Sequence, residues 1–506
     1  MSAGGSGPAT DPPSGNIAAL AKGGRTNFFG FLLRLAARLP FLFIAGRLYG
    51  ADALGRFASA LVVVELVALL CSLGEKRGLA QRLADGAEAE PAVNLVYDAL
   101  LLALLFGSVA ALFFWLVPQP LFPSGVYNDL DKLLVLAIPA YALTEIALAA
   151  QAYRFDIATT VRARAIMEPW TISIMAGLLF LVVPEAGLPL AYLVSVYAGL
   201  LVALHAFHRS YGLPQGWRPR PGRMARLTVR ALPLAGADAI EWGTRRVDIF
   251  ILGLFAAPAV VGVYYVAQQV ASLPQKLKTS FEPILGPVIT RNLKTRDYGA
   301  IAAQVRQVGF WIIAAQAGVV LALAIPGEAV MGLVGPGFVG GTGALALLLA
   351  AEVVASMAVV SEAALVYMAR LKNLALSVAT IALQAGLTVG FILLVQREGL
   401  PPAFQGAAAA AALFVALACA SLIKAWLLGR LLGEGINNWR WALLWAAGPA
   451  ALVGWAATFL PEWAELLFGL PAILLTYGAI IWRWGFGPED RVLFRRGLGQ
   501  AEPAQQ

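Results

Sequence analysis

Residues 38–60 read RLPFLFIAGRLYGADALGRFASA, and residues 245–267 read RRVDIFILGLFAAPAVVGVYYVA. Laid over one another at an offset of 207 residues, they place Arg38 on Arg245, Gly46 on Gly253, Gly55 on Gly262, Phe57 on Tyr264 and Ala60 on Ala267. Glycines nine apart that recur with the same upstream arginine and the same downstream aromatic exceed the chance likeness of Ala- and Leu-rich helices. They mark an internal duplication.

The rest of the chain says what is duplicated. Its 506 residues are 60% hydrophobic and only 13% charged, with a mean hydropathy of +0.76, too little charge to cover a soluble protein of this size. Uninterrupted apolar stretches such as Ala99 to Val117 and Trp441 to Leu460 recur end to end, each long enough to cross a bilayer. They do not alternate apolar and polar residues, which excludes a transmembrane β-barrel; disorder, a collagen and a disulfide scaffold are excluded with it. The spans predicted are 27–48, 54–74, 94–117, 132–152, 166–184, 187–208, 227–256, 260–289, 305–326, 341–366, 373–395, 405–430, 439–460 and 463–483. The eighth carries Pro274, Pro283 and Pro287 with Lys276 and Lys278 between them, and is expected to be kinked or partly interfacial.

Six spans precede the seventh, so both copies of the repeat start on the same side, as a parallel repeat about an axis along the membrane normal. The expected fold is all-α and polytopic, with about 14 transmembrane helices: two six-helix bundles around a central cavity and two extra C-terminal helices. The predicted organisation is a disordered cytoplasmic N-tail at 1–25, an N-terminal bundle at 26–208, a basic cytoplasmic linker at 209–226, a C-terminal bundle at 227–430, two further helices at 431–485 and a C-tail at 486–506. The N-tail lacks the basic start and apolar core of a secretory signal.

Charge sets the orientation. With the N-terminus inside, only Arg47, Arg56, Lys132 and Arg397 of the 37 basic residues fall outside, and Arg34, Arg38, Arg245 and Arg246 fall within spans. All the others lie on the inner side, so both termini are expected in the cytoplasm. The net charge of +8 records this bias, and no nucleic-acid partner is expected. The segments Glu75 to Glu90 and Arg209 to Arg230 read as surface or headgroup-contacting stretches. Cys71 and Cys419 lie within apolar runs and read as small buried hydrophobes.

Charges inside spans are costly, about 2.5–3.5 kcal/mol each at the helix centre, and single out candidates for a site. Arg34 and Arg38 share one helix face at i,i+4. They read either as residues snorkelling to headgroups or as ligands for an anion. Span 7 carries Asp238, Glu241, Arg245, Arg246 and Asp248, where Glu241 and Arg245 form an i,i+4 pair with either a structural or a cavity role. The functional reading is that Arg34, Arg38, Arg245 and Arg246 converge on one anion, since guanidinium forks suit phosphate or pyrophosphate. Asp238, Glu241, Asp248 and Glu65 are candidates for coupling or ion pairing, and Glu145, Glu352 and Glu362 are further membrane acids that read as coupling groups or as interhelical hydrogen-bond partners.

Other patterns carry no chemistry. Gly335, Gly337 and Gly340 satisfy a dinucleotide fingerprint in spacing alone, in a predicted outer loop without a preceding strand. His205 and His208 lack a third metal ligand. The outer loops are short for a catalytic apparatus, so neither an enzyme nor a cofactor is expected.

Four stretches resemble one family. AGRLYGADALGRFASALVVVELVALLCSLGEKRGLAQRLA and RRVDIFILGLFAAPAVVGVYYVAQQVASLPQKL are similar to the first and seventh-to-eighth-span hairpins of the multidrug/oligosaccharidyl-lipid/polysaccharide flippase superfamily, and within it of the bacterial polysaccharide (O-antigen type) flippases. GPGFVGGTGALALLLAAEVVASMAVVSEAAL and YMARLKNLALSVATIALQAGLTVGFILL resemble that family's span 9 to 10 region and next helix, so the likeness covers roughly residues 25 to 430. The resemblance implies a bacterial inner-membrane protein that moves an undecaprenyl-pyrophosphate-linked oligosaccharide outward by alternating access, for lipopolysaccharide or exopolysaccharide synthesis. The partners implied are that lipid-linked substrate, membrane lipids, a polysaccharide polymerase and glycosyltransferases. Arg34, Arg38 and Arg245, and less closely Arg246 and Asp248, occupy places matching the family's cationic cavity. Fourteen spans also occur in the lipid II flippase branch. A lipid II-type flippase and an ion-coupled multidrug exporter of the same fold are the alternatives.

Overall fold

A computed structural model describes residues 39–85, 91–214, 216–244, 246–279, 289–488 and 490–491. Its elements are α1 (39–49), α2 (Gly50–Cys71), α3 (Glu75–Asp85), α4 (Ala92–Leu116), α5 (Asp129–Tyr153), α6 (Ile157–Val182), α7 (Pro184–Tyr211), α8 (Pro221–Gly243), α9 (Val247–Phe255), α10 (Pro258–Thr279), α11 (Tyr298–Ala324), α12 (Gly327–Val334), α13 (Pro336–Met368), α14 (Arg370–Arg397), α15 (Ala403–Leu432), α16 (Ala442–Ala457) and α17 (Glu462–Gly485). The chain is an all-helical, multi-pass membrane protein. Ten of its described helical stretches are long and apolar enough to cross a bilayer, and α16 is a shorter apolar helix. With the α1–α2 stretch counted as two legs, and α8–α9 and α10 added, about fourteen crossings result, in line with the sequence reading.

The first hairpin shows how the chain turns. Gly50 has φ +78°, a conformation glycine enters without steric cost, and there the helical path reverses. The reversal is measured by Phe41 and Phe57, sixteen residues apart, whose ring centroids lie 6.1 Å from one another. A straight helix would put sixteen residues about 24 Å apart.

The two copies of the repeat build the same set of packings. In the first, α2 lies on α5, α4 on α5, α5 on α7 and α6 on α7. In the second, α10 lies on α13, α11 on α13, α13 on α15 and α14 on α15. One apolar core runs through both copies, from Leu42 and Phe57 to Tyr264, Leu345 and Leu413. A second core joins α11 to the C-terminal pair α16 and α17 through Phe310, Leu443, Ile473 and Tyr477.

The copies meet where α2 crosses α10. Gly55 faces the Pro258 carbonyl and Gly262 faces the Ala51 carbonyl, so closely that a Cβ on either would collide with that oxygen. Gly55 and Gly262 are repeat equivalents, as are Ala51 and Pro258. The contact is therefore self-complementary, as across a two-fold axis. The neighbouring helices add reciprocal contacts: Gly46 of α1 packs on Val334 and Phe338 of the second copy, and Gly253 of α9 on Ser59 and Pro123 of the first. Arg47 Nε donates to the Leu333 carbonyl at 3.0 Å.

Several element boundaries differ from expectation. The seventh span, expected as one helix over 227–256, begins at Pro221 and is split between α8 and α9. The fifth begins at Ile157, nine residues before its expected start at 166, because Asp156 caps it by accepting from the Thr159 N–H and hydroxyl. Asp156 is held below the usual carboxylate range by those hydrogen bonds. Within the stretch expected to be surface-exposed, Trp217 Nε1 donates to the buried Asp98 at 2.8 Å and Arg223 pairs with the same carboxylate at 2.6 Å. In the Gly335–Gly340 run, Gly335 caps α13 and the residues after it form its opening 3-10 segment, Pro336–Gly341.

Candidate functional site

The polar groups inside the helices gather at the junction of the two copies. On α2 of the first copy, Glu65 Oε2 lies 3.8 Å from Arg246 Nη2 of the second. This is a charge contact, longer than a hydrogen bond, and both side chains remain partly exposed. Arg246 stands just ahead of α9, at the interruption of the seventh span. Interrupted membrane helices free backbone groups and side chains to meet ligands, which is how transporters of other folds build midplane sites.

Two residues further on, Asp248 is fully buried. Its carboxylate accepts from the Ile249 N–H at 2.9 Å, from the Tyr264 hydroxyl at 2.5 Å and from Gln268 Nε2 at 3.1 Å. Tyr264 is the repeat equivalent of Phe57, and Asp248 that of Phe41. The hairpin contact made by two rings in the first copy is made by a hydrogen-bonded carboxylate in the second.

A second group of charges fills the interior of the first copy. Arg164 bridges Glu145 and Glu168, the latter at 2.8 Å, and its guanidinium lies 4.3 Å from the centroid of the Tyr141 ring. Arg164 was expected in an inner loop, and Glu168 was not singled out at all. The available signal was the i,i+4 spacing of Arg164 and Glu168, which gains meaning only when the helix starts early enough to hold both. Lys424, also expected at a helix end, is buried in α15 and pairs with Glu362 at 3.0 Å. Of the membrane acids, Glu145 and Glu362 thus have interhelical ionic partners.

The structure brings together Glu65, Arg246 and Asp248. Asp238 is buried and Glu241 exposed on α8, ahead of the interruption. Arg34, Arg38 and Arg245, expected to converge on one anion, lie outside the described residues. Among the described residues, no three His, Cys, Asp or Glu side chains gather in a way that could hold a metal ion.

Residues 44–292 match a family of polysaccharide biosynthesis proteins. The fold is similar to that of an inward-facing multidrug resistance MATE family transporter of the MOP superfamily, with 15% identity, a TM-score of 0.63 and coverage of 79% of this chain and 95% of the other. The first finding is a likeness over just under half of the chain, and the second shows the fold. Within that superfamily's fold, an outward-facing multidrug resistance MATE transporter matches at a TM-score of 0.54, 14% identity and coverage of 83% and 96%. The Vibrio cholerae MATE transporter VcmN in its bent form matches at 0.54, 12% identity and coverage of 83% and 98%. Among curated proteins, none matches the chain. Family likeness and fold together support a membrane flippase or transporter.

Proposed function

We propose that the chain is a flippase that carries an undecaprenyl-pyrophosphate-linked oligosaccharide repeat unit across the bacterial cytoplasmic membrane by alternating access, for lipopolysaccharide (O-antigen type) or exopolysaccharide synthesis. The observation that carries the reading is the family match over residues 44–292, which includes most of the first repeated hairpin, the whole of the second and the arginine set by the second one at the junction between copies. A guanidinium there offers two parallel N–H donors to a phosphate oxygen pair, which a weakly held carboxylate partner leaves within reach of a stronger anion. Arg34, Arg38 and Arg245 complete the proposed pyrophosphate site. Asp238, Glu241, Asp248 and Glu65 are its proposed coupling or pairing acids. Glycosyltransferases supply the substrate and a polymerase consumes it, with both termini of the flippase in the cytoplasm.

The test is translocation of an undecaprenyl-pyrophosphate oligosaccharide in proteoliposomes. Wild type transports it, and Arg246→Glu, like Arg38→Glu and Arg245→Glu, stops transport at unchanged insertion. Absence of transport by folded wild type overturns the function. Preference for lipid II in the same vesicles moves the substrate to the peptidoglycan precursor. A second reading, an ion-coupled drug exporter, is favoured by the buried Asp248; it predicts that Asp248→Asn stops export of a cationic drug while Arg246→Glu does not.

A further inference from the structure

We propose that a cleft of about 680 Å³ between α13, α15 and the loop at 433–441 binds one phospholipid with a zwitterionic amine headgroup, its phosphate on Arg430 and its ammonium on Glu434. None of the residues of the Arg246 site lines this cleft, and the volume is that of a ligand pocket.

The walls select hydrocarbon. Ser421, Ala425 and Gly429 recur at i,i+4 along α15 and leave a furrow on one helix face, flanked by Val354 and Met357 of α13. Leu422 and Trp426 beside it are 71% and 61% exposed. The polar groups in the floor are already satisfied: Ser421 Oγ donates to the Val354 carbonyl and Asn438 Nδ2 to the Met357 carbonyl, each at 2.9 Å. The floor therefore presents no unmet donor to a polar ligand, and an acyl chain fits it.

The mouth selects the headgroup. α15 ends at Gly433 in the left-handed region, at φ +68°, and the loop folds back so that the Glu434 carbonyl lies against Gly429. Arg306 Nη1 donates to the Gly435 carbonyl at 2.6 Å and pins that loop. The Arg430 guanidinium lies 5.5 Å from the centroid of the Trp426 ring, a pairing of basic and indole side chains suited to the headgroup level of a bilayer. Among the described residues, neither Arg430 nor Glu434 forms an ion pair, with each other or with a third group. Two opposite, unpaired charges at the mouth of an apolar furrow match a phosphate and an ammonium on one headgroup. A purely anionic headgroup would meet Glu434 with nothing to offset it.

The full chain, purified in mild detergent and exposed to mixed vesicles of phosphatidylethanolamine and phosphatidylglycerol, is examined by native mass spectrometry. The expected result is one phosphatidylethanolamine retained per chain in preference to phosphatidylglycerol. Ala425→Trp, which fills the furrow, loses the bound lipid, and Glu434→Lys at the exposed mouth keeps a lipid but turns the preference toward phosphatidylglycerol. A thermal melt shows whether each variant is folded. Equal retention of both lipids by wild type, retention of neither, or an unchanged preference in Glu434→Lys overturns the proposal.

Discussion

Asp248 occupies the place that Phe41 holds in the first copy, and the difference shows what burial demands of a side chain. A ring needs only another ring, and Phe41 finds Phe57. A fully buried carboxylate needs donors, and Asp248 finds three, of which the Tyr264 hydroxyl is the shortest at 2.5 Å. Hydrogen bonds to charged groups contribute about 1.5–3 kcal/mol, so Tyr264→Phe is expected to lower unfolding stability in detergent by about that amount, while Gln268→Ala costs less because its bond is longer. Equal effects of the two would contradict the ranking. At Gly55 the constraint is space. Gly55→Val meets the Pro258 carbonyl, which is backbone and cannot swing aside, and is expected to cost at least the 1–3 kcal/mol of ordinary overpacking. Gly177→Ala, with nothing within 4 Å, serves as the neutral comparison in the same thermal melt. The sequence alignment of the repeat showed that Gly55 and Gly262 are equivalent. It could not show that they touch, because contact depends on where the axis between the copies falls.

At the scale of elements, the C-terminal pair is the clearest case of an attachment made by few residues. Asp490, just after α17, accepts from Arg440 at 2.6 Å, from Trp311 Nε1 at 2.8 Å and from the Gly487 N–H at 2.9 Å, which ties both ends of the pair to α11. Burial pushes the Asp490 carboxyl up, but the hydrogen bonds from Arg440, Gly487 and Trp311 and the charge of Arg440 outweigh it and hold the carboxyl below its ordinary value. A carboxylate depressed on folding contributes stability that is complete above the unfolded value, about 3.9, and is lost as pH falls through the lower folded value. Hydrogen exchange in α16 is therefore expected to show no change in protection between pH 8 and pH 5 and a fall only below the usual carboxylate range. Asp490→Asn is expected to raise exchange in α16 and α17 at pH 5 and above, by about 1–3 kcal/mol of local stability, and to converge with wild type at pH below the folded value. If α16 and α17 keep wild-type protection in that variant, the tie is not what holds them. Most helices were legible because about twenty apolar residues in a row have few other uses. The interruption of span 7 was not, because Gly243 and Thr244 are only weak breakers, the charges from Asp238 to Asp248 fit a continuous helix as well as a broken one, and helix propensity alone does not decide where tertiary contacts let a membrane helix break. The early start of α6 was missed for a related reason. Its first turns carry Arg162 and Arg164, which hydropathy penalises, and it takes Glu145 from α5 together with Glu168 to partner the half-buried Arg164.

For the whole molecule, the pair-for-pair match of helix packings in the two copies and the reciprocal contacts about Gly55 and Gly262 describe two bodies joined at one crossing. Gly46, Arg47 and Gly253 seal the copies to each other's loops at that end. The candidate site lies at the same junction, with Glu65 from one copy and Arg246 from the other, so relative movement of the copies changes the site and the seal together. The parallel repeat was readable from spacing in the sequence. The pairing of Glu65 with Arg246 was not, since helix rotation is set by packing rather than by sequence separation. We propose that transport requires the seal between copies to open. It is tested by placing cysteines at Arg47 and Leu333 in a chain with Cys71→Ala and Cys419→Ala, bridging them with a short bis-thiol reagent, and measuring translocation of the lipid-linked oligosaccharide in proteoliposomes. Bridged protein is predicted to carry nothing while each single-cysteine chain, treated alike, retains transport. Undiminished transport through the bridged protein would contradict the account.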